Sequence, residues 1–239
     1  MKKLLTILTI LTLSLSIAYL AYGESVADST SKHNLSVNGA GWGGGAFGTT
    51  EVCVFCHTPH NANKTQVNGY LWNRTLQTTT FTLYSSTTID ATINQPGVQS
   101  LLCLSCHDGV GAFDVMINMP KDWDPTLGSA TTNQFGDFNL SDPAIGPLNI
   151  GENGGNISND HPVGFVYDDT LAANDGALKT PVSVKSVDAA GKLRLFGSKV
   201  ECSTCHNPHD NGACSTPGNC RFMVMDNAGS ALCTSCHIK

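Results

Sequence analysis

Four copies of Cys-x-x-Cys-His punctuate the chain: Cys53-Val-Phe-Cys56-His57, Cys103-Leu-Ser-Cys106-His107, Cys202-Ser-Thr-Cys205-His206 and Cys233-Thr-Ser-Cys236-His237. No other feature constrains the fold so tightly. Two thiols three residues apart share one side of a helical turn, where they reach the two vinyl groups of one haem and form thioethers. The histidine that follows turns its imidazole toward the iron as proximal ligand. Zinc ribbons pair Cys-x-x-Cys motifs two by two and need no histidine after each one. A thioredoxin-like dithiol needs one motif inside a βαβ pattern, and none is visible. The expectation is therefore four covalently bound haem c groups.

The chain has eight histidines. His57, His107, His206 and His237 are proximal by motif, which leaves His33, His60, His161 and His209 as distal candidates for the four irons. Bis-histidine ligation fills every axial position, so an electron carrier is expected and not an enzyme, because catalysis at a metal needs an open position. The alternative ligands for one iron are Met116, Met119, Met223 and Met225. His60 and His209 stand in matched contexts, His57-Thr-Pro-His60 and His206-Asn-Pro-His209. A histidine three residues past the proximal one cannot reach the far face of the same haem, so each must serve a neighbouring haem and bring two macrocycles close. Proline fixes φ within each spacer. His161, followed by Pro162, is expected on extended backbone.

Residues 1–23 read as a secretory signal, with Lys2 and Lys3 ahead of an apolar run from Leu4 to Leu20 and small residues before Glu24. The run is short for a membrane span, so no span is expected after cleavage. Cys214 and Cys220 flank a Pro217-Gly218 turn, and a disulfide between them suits an exported chain. Thirteen basic residues face nineteen acidic ones, and two of the basic residues lie in the leader. An acidic balance excludes a general nucleic-acid binder or a chain held to anionic lipid by charge.

With 239 residues, little chain is available to cover four haems, so the haems themselves must supply much of the core. The expected fold is a multihaem cytochrome c, mostly irregular, with short α-helices at the haem motifs and a few short strands. Val163 to Tyr167 and Lys192 to Phe196 alternate like such strands. Residues 24–239 read as a single tetrahaem domain, in which 24–50 form an N-terminal arm and a Gly-rich loop. Trp42, Trp72 and Trp123 read as packing residues. Asn34, Asn63, Asn73, Asn139 and Asn156 begin weak Asn-x-Ser/Thr glycosylation patterns.

Several segments together resemble the extracellular multihaem cytochromes of the OmcE and OmcS type. They are Cys53-Val-Phe-Cys-His-Thr-Pro-His60, Leu71-Trp-Asn-Arg74, Cys103-Leu-Ser-Cys-His-Asp-Gly109, Ser158-Asn-Asp-His-Pro-Val-Gly-Phe165 and Cys202-Ser-Thr-Cys-His-Asn-Pro-His209. The motif count is that of the four-haem, OmcE-like form. The resemblance implies nanowire filaments with a continuous haem chain, in which a histidine near one subunit's N-terminus completes a haem of the next. In this sequence that role can fall only on His33. It also implies redox proteins, extracellular minerals or electrodes as partners, beside the chain itself as a head-to-tail homopolymer. The Cys214–Cys220 segment has no counterpart in the pattern.

The sequence thus leads to an exported, bis-histidine tetrahaem protein that passes electrons along stacked haems, extracellular and filamentous. Its rivals are a monomeric periplasmic or secreted shuttle, with His33 closing its own haem, and a multihaem reductase with an accessible iron.

Overall fold

The computed structural model describes residues 25–39, 48–67, 69–108, 116–124, 150, 155–183, 193–210 and 222–238. The expected leader, the Gly-rich stretch 40–47 and the Cys214–Cys220 pair lie outside the described residues. Helical structure comes in short pieces. A 3-10 turn covers Cys53–Phe55, α1 runs over Val98–His107 and α2 over Asp169–Asp175. Helix α3 spans Cys202–Cys205, and a 3-10 turn at Ala228–Ser230 leads into α4, Ala231–Cys236. Of these pieces, all except α2 and the turn before α4 carry part or all of a Cys-x-x-Cys-His motif.

Local chemistry sets these lengths. Helix α1 starts at Gly97, just after Pro96, and proline holds the residue before it out of the helical region. It runs longest because its leucines have somewhere to go. Leu101 and Leu102 pack on Val67, Trp72 and Leu76, while Leu104 is buried with Phe81 and Ile157. Helix α2 is opened by Asp168, which accepts from Leu171 N at 2.8 Å, and closed by Gly176 at φ 68°. Helices α3 and α4 stop at their histidines, where His206 and His237 swing to extended backbone with ψ 140° in each.

The two expected strands form no ladder; β pairing among the described residues consists of isolated bridges. The cause is a tight turn. Gly197 and Ser198 both take positive φ, 59° and 63°, the pattern of a two-residue hairpin turn. Phe196 therefore exchanges backbone hydrogen bonds with Lys199, at 2.9 and 3.1 Å. The chain beyond the turn then meets the other stretch, with Gly164 N donating to Val200 O at 2.8 Å and Tyr167 N to Ser198 O at 2.8 Å.

Apolar packing is divided among small clusters. The largest joins Phe165, Tyr167, Leu171, Leu193, Val200 and Leu232, with Cys205, Cys236, Met223 and Met225 against it. Where ladders are few, side chains must satisfy the buried backbone. Asn34, Asn63 and Asn73 do so and are buried, which removes these three from use as glycosylation acceptors in the folded chain.

Candidate functional site

Three of the four motifs are held by the same backbone clip. In motif one the Cys56 carbonyl accepts from Asn73 N at 2.8 Å, and Thr58 N donates to Leu71 O at 2.8 Å. In motif three the Cys205 carbonyl accepts from Val224 N at 2.9 Å, and Asn207 N donates to Phe222 O at 2.7 Å. In motif four the Cys236 carbonyl accepts from Lys179 N at 2.7 Å, and Ile238 N donates to Ala177 O at 2.7 Å. Each clip grips the chain on both sides of the motif's histidine and so fixes the direction in which its imidazole leaves the backbone. His107 of motif two ends helix α1 and is positioned by that helix.

The histidines meet in pairs. His107 and His33 have ring centroids 6.2 Å apart, His57 and His209 5.9 Å, and His237 and His161 6.4 Å. Each pair joins one proximal histidine to one distal candidate. An iron between two imidazoles, with metal–nitrogen bonds of roughly 2 Å, sets the ring centres about 6 Å apart. The twist between the rings is free because both planes contain the axis, and the observed interplanar angles are 86°, 19° and 74°.

The ring nitrogens fit the same role. His57 Nδ1 lies 2.8 Å from the Tyr70 carbonyl and His161 Nδ1 2.9 Å from the Pro162 carbonyl. A proton held at Nδ1 by a carbonyl leaves the Nε2 lone pair for a metal. Burial, with the neighbouring His107 charge, pushes His33 down to about 4, so its ring is neutral at ordinary pH.

Residues 25–39 dock beside the end of motif three, where Val26 N donates to His209 O at 3.0 Å and Ser25 bridges Asp210. The ring of His33 packs on Phe222 at 4.2 Å and faces His107 of its own chain. His60 is the distal candidate that differs: it is exposed. Met223 and Met225 pack against the apolar cluster and Met119 is exposed.

The cysteines place the motifs in order. Burial pushes Cys56 up to about 12, and Cys106 of motif two adds to the effect. Cys103 of motif two and Cys202 of motif three are neighbours and perturb each other, which raises the first and lowers the second. Burial also pushes Cys205 of motif three up to about 12, reinforced by Cys236 of motif four. Motif one thus lies beside two, two beside three and three beside four.

Sequence reasoning missed the residues that join these motifs. Glu201, 3 % exposed, accepts from Gly97 N at 3.1 Å and from the Ser100 hydroxyl, and Cys202 N donates to Ser100 Oγ at 3.0 Å. One carboxylate thereby opens α1 and ties it to α3. An acidic residue just before a cysteine motif was the only signal, and its partners lie far away in sequence. Among the described residues no three His, Cys, Asp or Glu side chains converge as a zinc site requires. Imidazole pairs with centroids 5.9–6.4 Å apart, one ring of each directly following a Cys-x-x-Cys pair, fit haem. No helix among the described residues is long and apolar enough to cross a membrane. No protein-family model and no curated protein matches the chain.

Proposed function

We propose that this chain is an exported tetrahaem c-type cytochrome that passes electrons along a row of bis-histidine haems. The observation that carries the reading is the set of three proximal–distal imidazole pairs with centroids 5.9–6.4 Å apart. Cys53 and Cys56, Cys103 and Cys106, Cys202 and Cys205, and Cys233 and Cys236 would hold the four groups covalently. His57 with His209, His107 with His33, and His237 with His161 would clasp three irons, and counting assigns His60 to His206. His209 sits with His57 and not with His206, and the two His-x-Pro-His segments match, so the reciprocal exchange is proposed for His60 and His206. A haem iron between two imidazoles gains or loses one electron with its ligands unchanged. The chain's part is to hold these ligands still, keep neighbouring motifs in contact and leave no axial position for a substrate.

Head-to-tail assembly is a second reading, favoured by the exposure of His60. A histidine on the surface is placed to reach an iron of another copy, and a heterologous contact that does not close on itself propagates as an open helix. The test is cryo-electron microscopy of the native exported protein together with haem counting. Four haems with every iron low-spin support the electron carrier, and a substoichiometric or zinc-loaded protein overturns it. Filaments with His60 entering the next copy establish assembly; discrete monomers with all eight histidines ligated in one chain make it a shuttle.

A further inference from the structure

His60 is exposed, yet the turn that carries it is gripped from two sides. The Thr58 hydroxyl donates to the His60 carbonyl at 2.9 Å. Asn118, 58 residues further along, donates from Nδ2 to the same carbonyl at 3.3 Å and to the Asn61 carbonyl at 3.2 Å. Its Oδ1 accepts from Asn61 Nδ2 at 3.2 Å. The two carbonyls flank the Asn61 Cα, and Asn61 takes φ 52°, left-handed backbone that asparagine tolerates better than most residues. One side chain thus holds both peptide carbonyls and the side-chain amide of a turn that most sequences avoid.

Asn118 is itself anchored. Its N–H donates to Asn73 Oδ1 at 2.9 Å and its carbonyl accepts from Asn73 Nδ2 at 2.9 Å, a closed pair of amide hydrogen bonds. Its Nδ2 also reaches Asn73 Oδ1 at 3.0 Å, and Ile117 N donates to Asn73 O at 2.8 Å. Asn73 is fully buried and fastened to motif one. Its Nδ2 donates to the Val54 carbonyl at 2.7 Å and its N–H to the Cys56 carbonyl at 2.8 Å. Motif one therefore reaches His60 by two routes, the covalent spacer Thr58-Pro59 and the relay through Asn73 and Asn118. The matched histidine of motif three is treated alike, since the distant Val26 N donates to the His209 carbonyl at 3.0 Å.

We propose that Asn118 is the positioning residue for His60 as a distal iron ligand, locking its turn to motif one through Asn73. The inference rests on the haem reading of the motifs, and it holds whether the iron belongs to this chain or to another copy. A histidine on a free loop loses conformational entropy each time it binds an iron. One already held in place loses less, and so binds more tightly. A held histidine also stays beside the iron when its bond breaks, and it returns before an outside ligand enters.

The experiment follows carbon monoxide uptake by the reduced, haem-loaded full chain, because the gas enters a bis-histidine haem only when one axial ligand leaves. Wild type, Asn118→Ala, Asn118→Asp, His60→Ala and the double variant His60→Ala with Asn118→Ala are compared after haem counting. A wild type lacking four haems, or a His60→Ala protein with every iron still low-spin, sinks the ligand reading and the proposal with it. With that reading upheld, His60→Ala leaves one haem open to the gas at once. Asn118→Ala keeps four low-spin ferric haems and speeds uptake at that one haem by roughly tenfold, the worth of one or two ordinary hydrogen bonds. Asn118→Asp keeps the size of the residue and its backbone bonds but loses the Nδ2 donors, and it speeds uptake too. In the double variant Asn118→Ala adds nothing to His60→Ala. Uptake at wild-type speed in Asn118→Ala overturns the proposal. So does acceleration spread over all four haems, or one that reappears at the other three in the double variant, since either is a general loosening. If Asn118→Ala fails to assemble, Asn118→Asp decides by the same criteria.

Discussion

Replacing His33 by alanine tests the paired-imidazole arrangement where ligation within one chain and ligation by a neighbouring copy predict different results. The substitution removes a ring that lies 6.2 Å from His107 and 4.2 Å from Phe222. It leaves intact the backbone hydrogen bonds that dock the segment, Val26 N to His209 O at 3.0 Å and Asn34 N to Ser31 O at 3.1 Å. The segment therefore stays in place, and the lost ring contact with Phe222 costs on the order of 1 kcal/mol. One of the four ligand sets loses a member. About a quarter of the low-spin haem signal then becomes five-coordinate and binds carbon monoxide, while the rest is unchanged. Added imidazole fills the gap and restores the signal. Because His33 and His107 belong to one chain, the altered quarter is indifferent to dilution and to mixing with intact protein. Absorbance and electron paramagnetic resonance, with and without carbon monoxide, measure it. Four low-spin haems in the variant would refute the assignment. So would a defect repaired by adding intact chains, which would return His33 to service in a neighbour.

Three further outcomes follow from the same hydrogen bonds and caps. Glu201→Ala strips a buried acceptor from Gly97 N–H and the Ser100 hydroxyl and lowers stability by roughly 3 kcal/mol, seen as a lower guanidinium midpoint at constant slope. Glu201→Gln, which keeps one oxygen, loses less. Asp168→Ala removes the cap on Leu171 N and costs about 1 kcal/mol, with faster amide exchange confined to α2. Asp122 is held below its ordinary value by the hydroxyl of Thr49, then by Thr50 N–H, at 2.7 and 3.0 Å. Its folded-state pKa is depressed, so its contribution is complete above the unfolded value of 3.8 and fades as pH falls through the folded value. The difference in Tm between wild type and Asp122→Asn should be constant near neutrality and narrow in acid. A difference that persists undiminished at pH 2 would show that hydrogen bonding to the carboxylate is not its origin.

The chemistry-bearing residues were legible because their spacing is local. Two cysteines and a histidine on one turn announce themselves, and so does a second histidine three residues on. What holds those turns was not legible. The clips at residues 71–73, 177–179 and 222–224 use backbone N–H and C=O groups, which every residue type except proline can supply. They leave no common sequence, and the repeat exists only in the folded chain. Glu201 is hidden for a different reason, since its hydrogen-bonding partners Gly97 and Ser100 are brought to it by tertiary structure. The expected strands failed at Gly197 and Ser198, where a tight turn diverts a stretch whose alternation was genuine. The path of residues 25–39 was hidden as well, because it is decided by contacts with His209 and Asp210 that lie far away in sequence.

The three imidazole pairs also interlock along the chain. His33 joins His107, His57 joins His209 and His161 joins His237, and each span overlaps the next. There is consequently no peptide bond between residues 33 and 237 at which the polypeptide could be severed with every pair kept whole on one fragment. A chain laid out as four separable beads could lose or duplicate a bead and remain serviceable. This one is threaded like a braid, and any change in the number of motifs must rework the strands on either side of it.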